Sequence, residues 1–575
     1  MKKILPFLKP FRIAIAISLV LTLLQTISEV YLPRLMSNII DHGVVNGDID
    51  YIWSIGGVML LVAAGGMICS IFASFFSAKI ATGFGRGLRD KVFKHVVSFS
   101  QDEFDKLGTA SLITRTTNDI NQVQQVLILT LRVMVMAPIM AIGGIFMALT
   151  TDAKLSLVFL ISVPILALTI FLIARKGIPL FKVIQKKLDN LNRVLREKLI
   201  GVRVIRSFNR VKYEENRFND ANLDLTSTAI KVNKIMAFMM PLMMLIINFS
   251  TIAIVWFGSI RISNGDMQVG DLMAFIQYAM QIMFAFMMAS MMFVLFPRAQ
   301  VSATRINEIL DTTSSIKNSN NPKSTSSIKG SIEFQNVTFH YPGAEIPAIA
   351  NISFRANPGE VTAIIGGTGA GKSTLVNLIP RFYDVTEGTV LVDGIDVRKW
   401  NLDYLREKIG FVPQKAVLFT GTITENIKYG KQDASDTEVE RALEIAQASS
   451  FIREMKDGLQ TQISQGGTNV SGGQKQRLSI ARALIKKPEI YIFDDSFSAL
   501  DFKTDAKLRA ALKNEINNAT VLMIAQRVST VMDADQIIVL DEGKIAGIGT
   551  HQELLQSSSV YHEIVYSQLS EEELA

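Results

Sequence analysis

A chain of 575 residues, 49% hydrophobic and 19% charged, is too long for one compact domain, and at least two are expected. Its net charge of +7 gathers beside long apolar runs, as in the cytoplasmic loops of membrane proteins, which sets nucleic-acid binding aside. The single cysteine, Cys69, excludes a disulfide or a cysteine-based metal site within one chain and reads as an inert packed thiol.

Six apolar runs, near 11–32, 52–78, 126–149, 155–173, 236–262 and 272–296, have the length that crosses a bilayer, about 20 residues each. The first is too long for a cleaved signal and lacks a small-residue cleavage site. Lys2, Lys3 and Lys9 precede it. Arg86, Arg89, Lys91 and Lys94 follow the second run, and Lys182, Lys186, Lys187, Arg193, Arg196 and Lys198 follow the fourth. Asp41, Asp48 and Asp50 follow the first. Basic loops stay inside, so both termini are expected in the cytoplasm of a multi-pass protein.

Glu29 lies within the first run, where a carboxylate points to a ligand or a proton unless it reaches the headgroups or a partner cation. The connections 79–125 and 175–234 read mostly as helix, with apolar positions such as Leu188, Leu191, Leu195 and Leu199 at helical spacing. Connections of that length usually carry function, and the spans are predicted to continue as helices into the cytoplasm. Each holds aromatics among charges at its far end: Phe99 and Phe104 in the first, Phe208 and Tyr213 in the second. Runs five and six are rich in methionine: Met236, Met239, Met240, Met243 and Met244, then Met280, Met283, Met287, Met288, Met291 and Met292. Polarizable, flexible side chains suit a cavity that repacks around unrelated apolar molecules, and they suit ordinary helix packing equally. Gln277, Gln281 and Asn248 can line such a cavity or bond neighbouring helices.

Residues 1–311 are therefore assigned to a transmembrane domain. The Ser-, Thr-, Asn- and Lys-rich stretch makes 312–328 a linker, and 329–575 a soluble α/β domain in which short apolar strands alternate with helical patterns. In that domain the buried-strand run 361–365 enters Gly366-Gly367-Thr368-Gly369-Ala370-Gly371-Lys372-Ser373, with Thr374 next, and a helix follows from Lys372 to Ile379. Strand, glycine loop and helix in that order make a phosphate-binding loop. Backbone N–H groups surround the β- and γ-phosphates, the helix start adds its dipole, Lys372 supplies a point charge and Ser373 a hydroxyl for Mg²⁺.

Further motifs give the soluble half a specific resemblance. Tyr341, in Phe339-His340-Tyr341-Pro342-Gly343, resembles the adenine-stacking aromatic of the ATP-binding cassette of ABC transporters. Gln414 resembles the glutamine of the Q-loop, which touches Mg²⁺. Val470-Ser471-Gly472-Gly473-Gln474 resembles the ABC signature, and Asp501, in Ser498-Ala499-Leu500-Asp501, the D-loop. Ser471 can cap the following helix, and Gly472 and Gly473 leave its first N–H groups open to an anion. The six-run, long-loop pattern is similar to the exporter type, so the resemblance covers nearly the whole chain. It implies six transmembrane helices extended into the cytoplasm, joined to an α/β P-loop NTPase domain. It also implies ATP and Mg²⁺ as cofactors, and coupling helices around Phe99–Asp105 and Phe208–Glu214. Ser471, Gly472, Gly473, Gln474 and Asp501 would act in trans on a partner's nucleotide.

Two positions depart from the family pattern. Asp494, at the end of 490–494, is placed to orient the Mg²⁺ shell, but the next residue is Asp495 where the family has Glu. One methylene fewer draws that carboxylate back by about 1.5 Å, out of reach of an attacking water. The switch position holds Gln526 where the family has His, and an amide cannot become cationic beside the transferring phosphoryl group. The resemblance thus implies a degenerate site that binds ATP and turns it over slowly or not at all. Such a chain matches one half of a heterodimeric bacterial multidrug exporter in the inner membrane, whose partner half-exporter keeps the Glu and His. Gln465–Asn469, before the signature, is similar to a coupling segment of such halves. Amphipathic drug-like molecules are the expected cargo, with membrane lipid around the helices and no nucleic-acid partner. The alternatives are a transporter of lipid, peptide or siderophore, or an ATP-gated channel or sensor subunit.

Overall fold

The computed structural model describes residues 3–326 and 328–568; Lys2 and Ser327, and the side chains of Lys182 and Met291, lie outside the described residues. The chain divides into two compact units, Met1–Val97 with Gly108–Thr312 and Ser98–Leu107 with Thr313–Ala575.

The first unit is helical. Its main helices are α1 (Arg12–Asn38), α2 (Ile49–Val97), α4 (Thr109–Thr116), α5 (Asn118–Thr151), α6 (Leu157–Ile200), α7 (Val202–Ser207), α8 (Val211–Ala237), α9 (Met239–Ser263) and α10 (Val269–Asp311), α3 (Gln101–Leu107) belonging to the second unit. Among the described residues, six helical stretches are long and apolar enough to cross a membrane. Large apolar side chains point outward along them (Trp53 is 78% exposed, Leu160 71%), as helices bathed in lipid require. Inward positions such as Ile80, Leu166, Ile254 and Phe275 are buried, and α1 packs along α2 while α5 packs along α10.

The first span runs further than the apolar run 11–32 predicts. Past Asn38 it widens into a turn in which the N–H of Val45 bonds the Ile40 carbonyl at 3.0 Å. Asp41 explains the widening. It is buried and accepts from the backbone N–H of Gly270 at 2.6 Å, while Arg34 and Ser37 bond Asp271 at 2.8 and 2.9 Å. These contacts pin the end of α1 to the start of α10.

The second unit holds two main sheets. Strands β1 (Ile332–Phe339), β2 (Ile349–Ala356), β4 (Glu387–Val392) and β5 (Ile395–Asp396) form an antiparallel sheet in the order β2-β1-β4-β5. Strands β3 (Val361–Gly366), β6 (Ile409–Val412), β9 (Ile490–Asp494), β10 (Thr520–Ile524), β11 (Gln536–Asp541) and β12 (Lys544–Gly549) form the other, in the order β12-β11-β3-β10-β9-β6, parallel except for β12. The short pair β7 (Gly421–Thr422) and β8 (Gln462–Ile463) stands apart. Helices α11 (Lys372–Leu378), α12 (Leu402–Glu407), α13 (Ile423–Lys428), α14 (Asp436–Ile445), α15 (Ser449–Arg453), α16 (Gly472–Leu484) and α17 (Phe502–Glu515) pack on these sheets. Register pairs Ile364 with Ile524 and Ile524 with Asp494, so β3, β10 and β9 release their C-terminal loops side by side. In an open parallel sheet that edge is where ligands bind.

The short helix α3 is held in this unit by carboxylates more than by its aromatics. Glu103 is buried and accepts from the backbone N–H groups of Ser100 at 2.9 Å and Ser315 at 3.0 Å. Burial works against its charge, but these bonds and the Ser100 hydroxyl outweigh it and hold the carboxyl below its ordinary value. Asp105 accepts from the Tyr383 hydroxyl at 2.9 Å. Phe99 and Phe104 meet edge to face at 6.3 Å. The polar stretch before β1 is also tied down: the Lys323 N–H bonds Lys399 O, and Asn401 N–H bonds Lys323 O, both at 2.9 Å.

Candidate nucleotide site and the methionine-lined cavity

Two glycines of the phosphate loop are required for space. A Cβ on Gly366 would stand 2.1 Å from the Leu540 carbonyl oxygen, and one on Gly371 2.6 Å from that of Ala348. Gly367, Thr368 and Gly369 form the exposed lip of the loop, and Ala370 is buried beneath it. Lys372 Nζ reaches back to the carbonyls of Gly366 at 2.8 Å and Gly367 at 2.7 Å. Burial lowers its pKa, and the charges of Asp495 and Asp494 work in the opposite direction. The Tyr341 hydroxyl lies 3.0 Å from Thr374 Oγ1, and its ring stands edge-on to Phe339 and Tyr383.

Ser373 Oγ donates to Asp494 Oδ1 at 2.9 Å. Asp494 is buried at the end of β9, and burial together with the neighbouring Asp495 raises its pKa against the pull of Ser373 and Lys372. A cation placed there would relieve that cost. A hydroxyl and a carboxylate oxygen are the hard donors Mg²⁺ takes, so the residues fit this ion.

Asp495 follows in a left-handed conformation, φ 47°, which Asp tolerates better than most residues. Its backbone N–H bonds Ile524 O at 3.2 Å. Its Oδ2 accepts from Gln526 Nε2 at 2.8 Å and from Gln414 Nε2 at 3.2 Å. One carboxylate oxygen thus joins the loops that follow β6, β9 and β10.

Ser471, Gly472, Gly473, Gln474 and Asp501 make no hydrogen bond with that group among the described residues. Ser471 and Gln474 form a reciprocal cap on α16: the Gln474 N–H bonds Ser471 Oγ at 3.3 Å and the Ser471 N–H bonds Gln474 Oε1 at 2.8 Å. The glycine N–H groups remain in the helix's first turn, where no intrahelical acceptor exists. A Cβ on Gly472 would meet nothing within 4 Å. Asp501 caps α17 through the Thr504 N–H at 2.9 Å. Arg527, which the sequence did not single out, bonds Ser498 O at 3.3 Å and lies over the Phe502 ring at 4.8 Å.

In the helical unit a cavity of about 580 Å³ brings together Glu29 of α1, Met136 and Met140 of α5, Met243 and Ile247 of α9, and Met280, Gln281, Met283, Phe284 and Met287 of α10. Glu29 Oε1 accepts from Gln25 Nε2 at 2.9 Å, and Gln281 Nε2 bonds the Glu29 carbonyl oxygen at 2.9 Å. The other amide atom of Gln281, Oε1, is buried without a partner. Met136 and Met140 lie outside the methionine-rich runs and were not anticipated. Gln277 and Asn248 are exposed and do not line this cavity.

The fold and this site define a phosphate-loop ATPase fused to six membrane-length helices. Residues 15–286 match the family model for the ABC transporter transmembrane region, and residues 349–498 that described as ABC transporter. The chain is 45% identical to an uncharacterized ABC transporter ATP-binding protein of Mycobacterium tuberculosis, over 98% of this chain and 97% of that protein. It is 30% identical to an ATP-dependent lipid A-core flippase of Chromobacterium violaceum, over 99% of this chain and 97% of the flippase. A bacterial Atm1-family ABC exporter solved with ATP bound superposes with a TM-score of 0.82 at 26% identity, covering 98% of this chain and 99% of that one. The chain belongs to the ABC transporter family. It is an exporter half-transporter, an integral membrane protein whose membrane and ATP-binding domains share one polypeptide.

Proposed function

We propose that this chain is one half of a heterodimeric exporter in a bacterial inner membrane, with both termini and the ATPase domain in the cytoplasm. Its own site would hold ATP with little turnover, while Ser471 to Gln474 and Asp501 complete the partner's competent site. The observation that carries this reading is the Asp495 carboxylate, engaged by two amides instead of standing free for water. A general base must reach the proton it takes, and Asp495 is both short and occupied. Gln526, its amide turned to Asp495, brings no positive charge to the γ-phosphate.

The binding half of the site keeps every element this reading needs. Lys372 and the loop N–H groups would hold the phosphates, and Tyr341 the adenine. Ser373 and Asp494 would hold Mg²⁺, with Gln414 beside them. When bound, the ion neutralises phosphate charge. Closure on two nucleotides would open the helices outward, and hydrolysis at the partner's site would reset them.

For cargo, the methionine-lined cavity with its one carboxylate favours amphipathic cations. Thioethers adapt to varied apolar shapes, and Glu29 supplies the only charge among the cavity's lining residues. A second reading, export of a lipid, draws on the likeness to lipid A-core flippases.

The test is to purify the chain with whatever half-exporter accompanies it and to measure ATPase activity alone and in the pair. The pair should hydrolyse ATP and this chain alone should not; brisk hydrolysis by a homodimer would overturn the proposal. Stimulation by a panel of cations and lipids separates the two cargoes. Glu29→Gln should abolish the response to cations and spare neutral lipids.

A further inference from the structure

The elements that carry the ATP-site motifs have far ends, and those ends meet. Strand β9 finishes at Asp494, α16 begins behind Ser471, α17 begins behind Asp501 and β10 leads to Gln526. At their other ends, Tyr491 of β9, Leu484 of α16, Ile516 after α17 and Ala519 before β10 line one cavity of about 570 Å³, closed by Ala442 of α14. That is the size of a small-molecule site, and its floor is apolar. It lies one helix length from the signature, about 20 Å for the 13 residues of α16.

The rim carries three acids and three bases, but they are unequally engaged. Glu438, Glu489 and Glu515 face the cavity, but Lys431, Lys408 and Arg441 hold them at 2.7, 2.5 and 2.9 Å. Lys329 and Lys487 line the same rim without an acceptor among the described residues. On the wall, Tyr491 is only 3% exposed, and its hydroxyl bonds no described residue. The hydroxyl itself is not among the buried atoms, so it opens into the cavity, where it can donate to a ligand.

We propose that this cavity binds a small organic anion and couples it to the ATP site. The apolar body of the ligand covers Leu484 and Ile516, its charged group meets Lys329 and Lys487, and an acceptor atom takes the Tyr491 hydroxyl. Tyr491 stands three residues before Asp494 on one strand, so anything that shifts β9 moves the carboxylates facing the nucleotide. This site does not depend on the asymmetric reading above, because all its residues lie in one chain.

The test uses the full-length chain in lipid discs and 4-benzoylbenzoate, a photoreactive aromatic carboxylate with a ketone acceptor. Saturable labelling is expected in the peptides that contain Tyr491 and Asn517. The methyl ester, which lacks the charge, should label them at least about fivefold less. Lys487→Glu, on the surface, should weaken half-saturation by about fivefold or more, and Ala442→Trp should block labelling by filling the cavity. Coupling is reciprocal, so MgATP should shift half-saturation by about twofold or more. Labelling that does not saturate, that the ester matches, or that both variants leave unchanged overturns the site. Half-saturation unmoved by MgATP overturns the coupling.

Discussion

Two corners of one nucleotide site are built to different standards. The phosphate cradle is complete: two glycines, Gly366 and Gly371, where a Cβ would strike a carbonyl, a lysine drawn onto the loop, a hydroxyl already on Asp494. The corner that would handle water is closed on itself, with Asp495, Gln526 and Gln414 satisfying one another. Both corners sit on neighbouring strands of one sheet, so general damage to the domain does not explain the difference. On the proposed reading, holding ATP and cleaving it draw on separate side chains, and the chain keeps the first set.

The largest expected effect lies in neither corner. The Cβ that Gly472→Glu adds meets open space at the exposed start of α16, so the fold should be retained. A carboxylate at the start of α16 opposes the phosphate that this helix end would face in trans. Steady-state ATPase of the assembled pair should fall about a hundredfold; full activity would mean that the signature does not reach the partner's nucleotide.

Lys372→Ala should weaken ATP binding at this chain's site at least about tenfold, since a charge-assisted interaction with phosphate is lost. Photolabelling of this subunit with an azido-ATP measures it, and unchanged affinity would remove the basis for the cradle. Joint replacement of Asp495→Glu and Gln526→His should open the closed corner and raise single-turnover hydrolysis at this site by about tenfold. No gain would show that something other than these two residues limits it.

Smaller changes sharpen the contrast. Tyr341→Ala removes the bond to Thr374 and would remove the proposed adenine stacking, and affinity should fall about fivefold in the same labelling assay. Asp495→Asn should leave the pair's ATPase within about twofold, because a carboxylate already engaged by two amides has no water to activate. Abolished turnover in that variant would return Asp495 to the role of a base.

What the sequence made legible was local. The phosphate loop and the cap at Ser471 depend on residues a few positions apart, and strand, loop and helix stand where the pattern puts them. The identities of Asp495 and Gln526 flagged a departure, but their bond spans 31 positions and Gln414 lies 81 away. Only the parallel register of β6, β9 and β10 brings them together. The methionine-lined cavity was harder still. Runs of methionine were visible, but which ones face Glu29 depends on how four helices rotate against each other, and Met136 and Met140 carried no signal. The first helix outruns its apolar stretch because hydropathy cannot anticipate a buried Asp41 bonding the backbone of α10.

The two long loops of the helical half end differently. Residues Ser98–Leu107 are gathered into the ATPase unit by Glu103 and Asp105, while the second loop leaves Ile200 80% exposed, Phe208 73% and Tyr213 62%. Uncovered apolar side chains on a soluble loop are what chaperones and proteases recognise. On the reading proposed above, a partner half would cover that loop, and copies made in excess of the partner would leave it open to both.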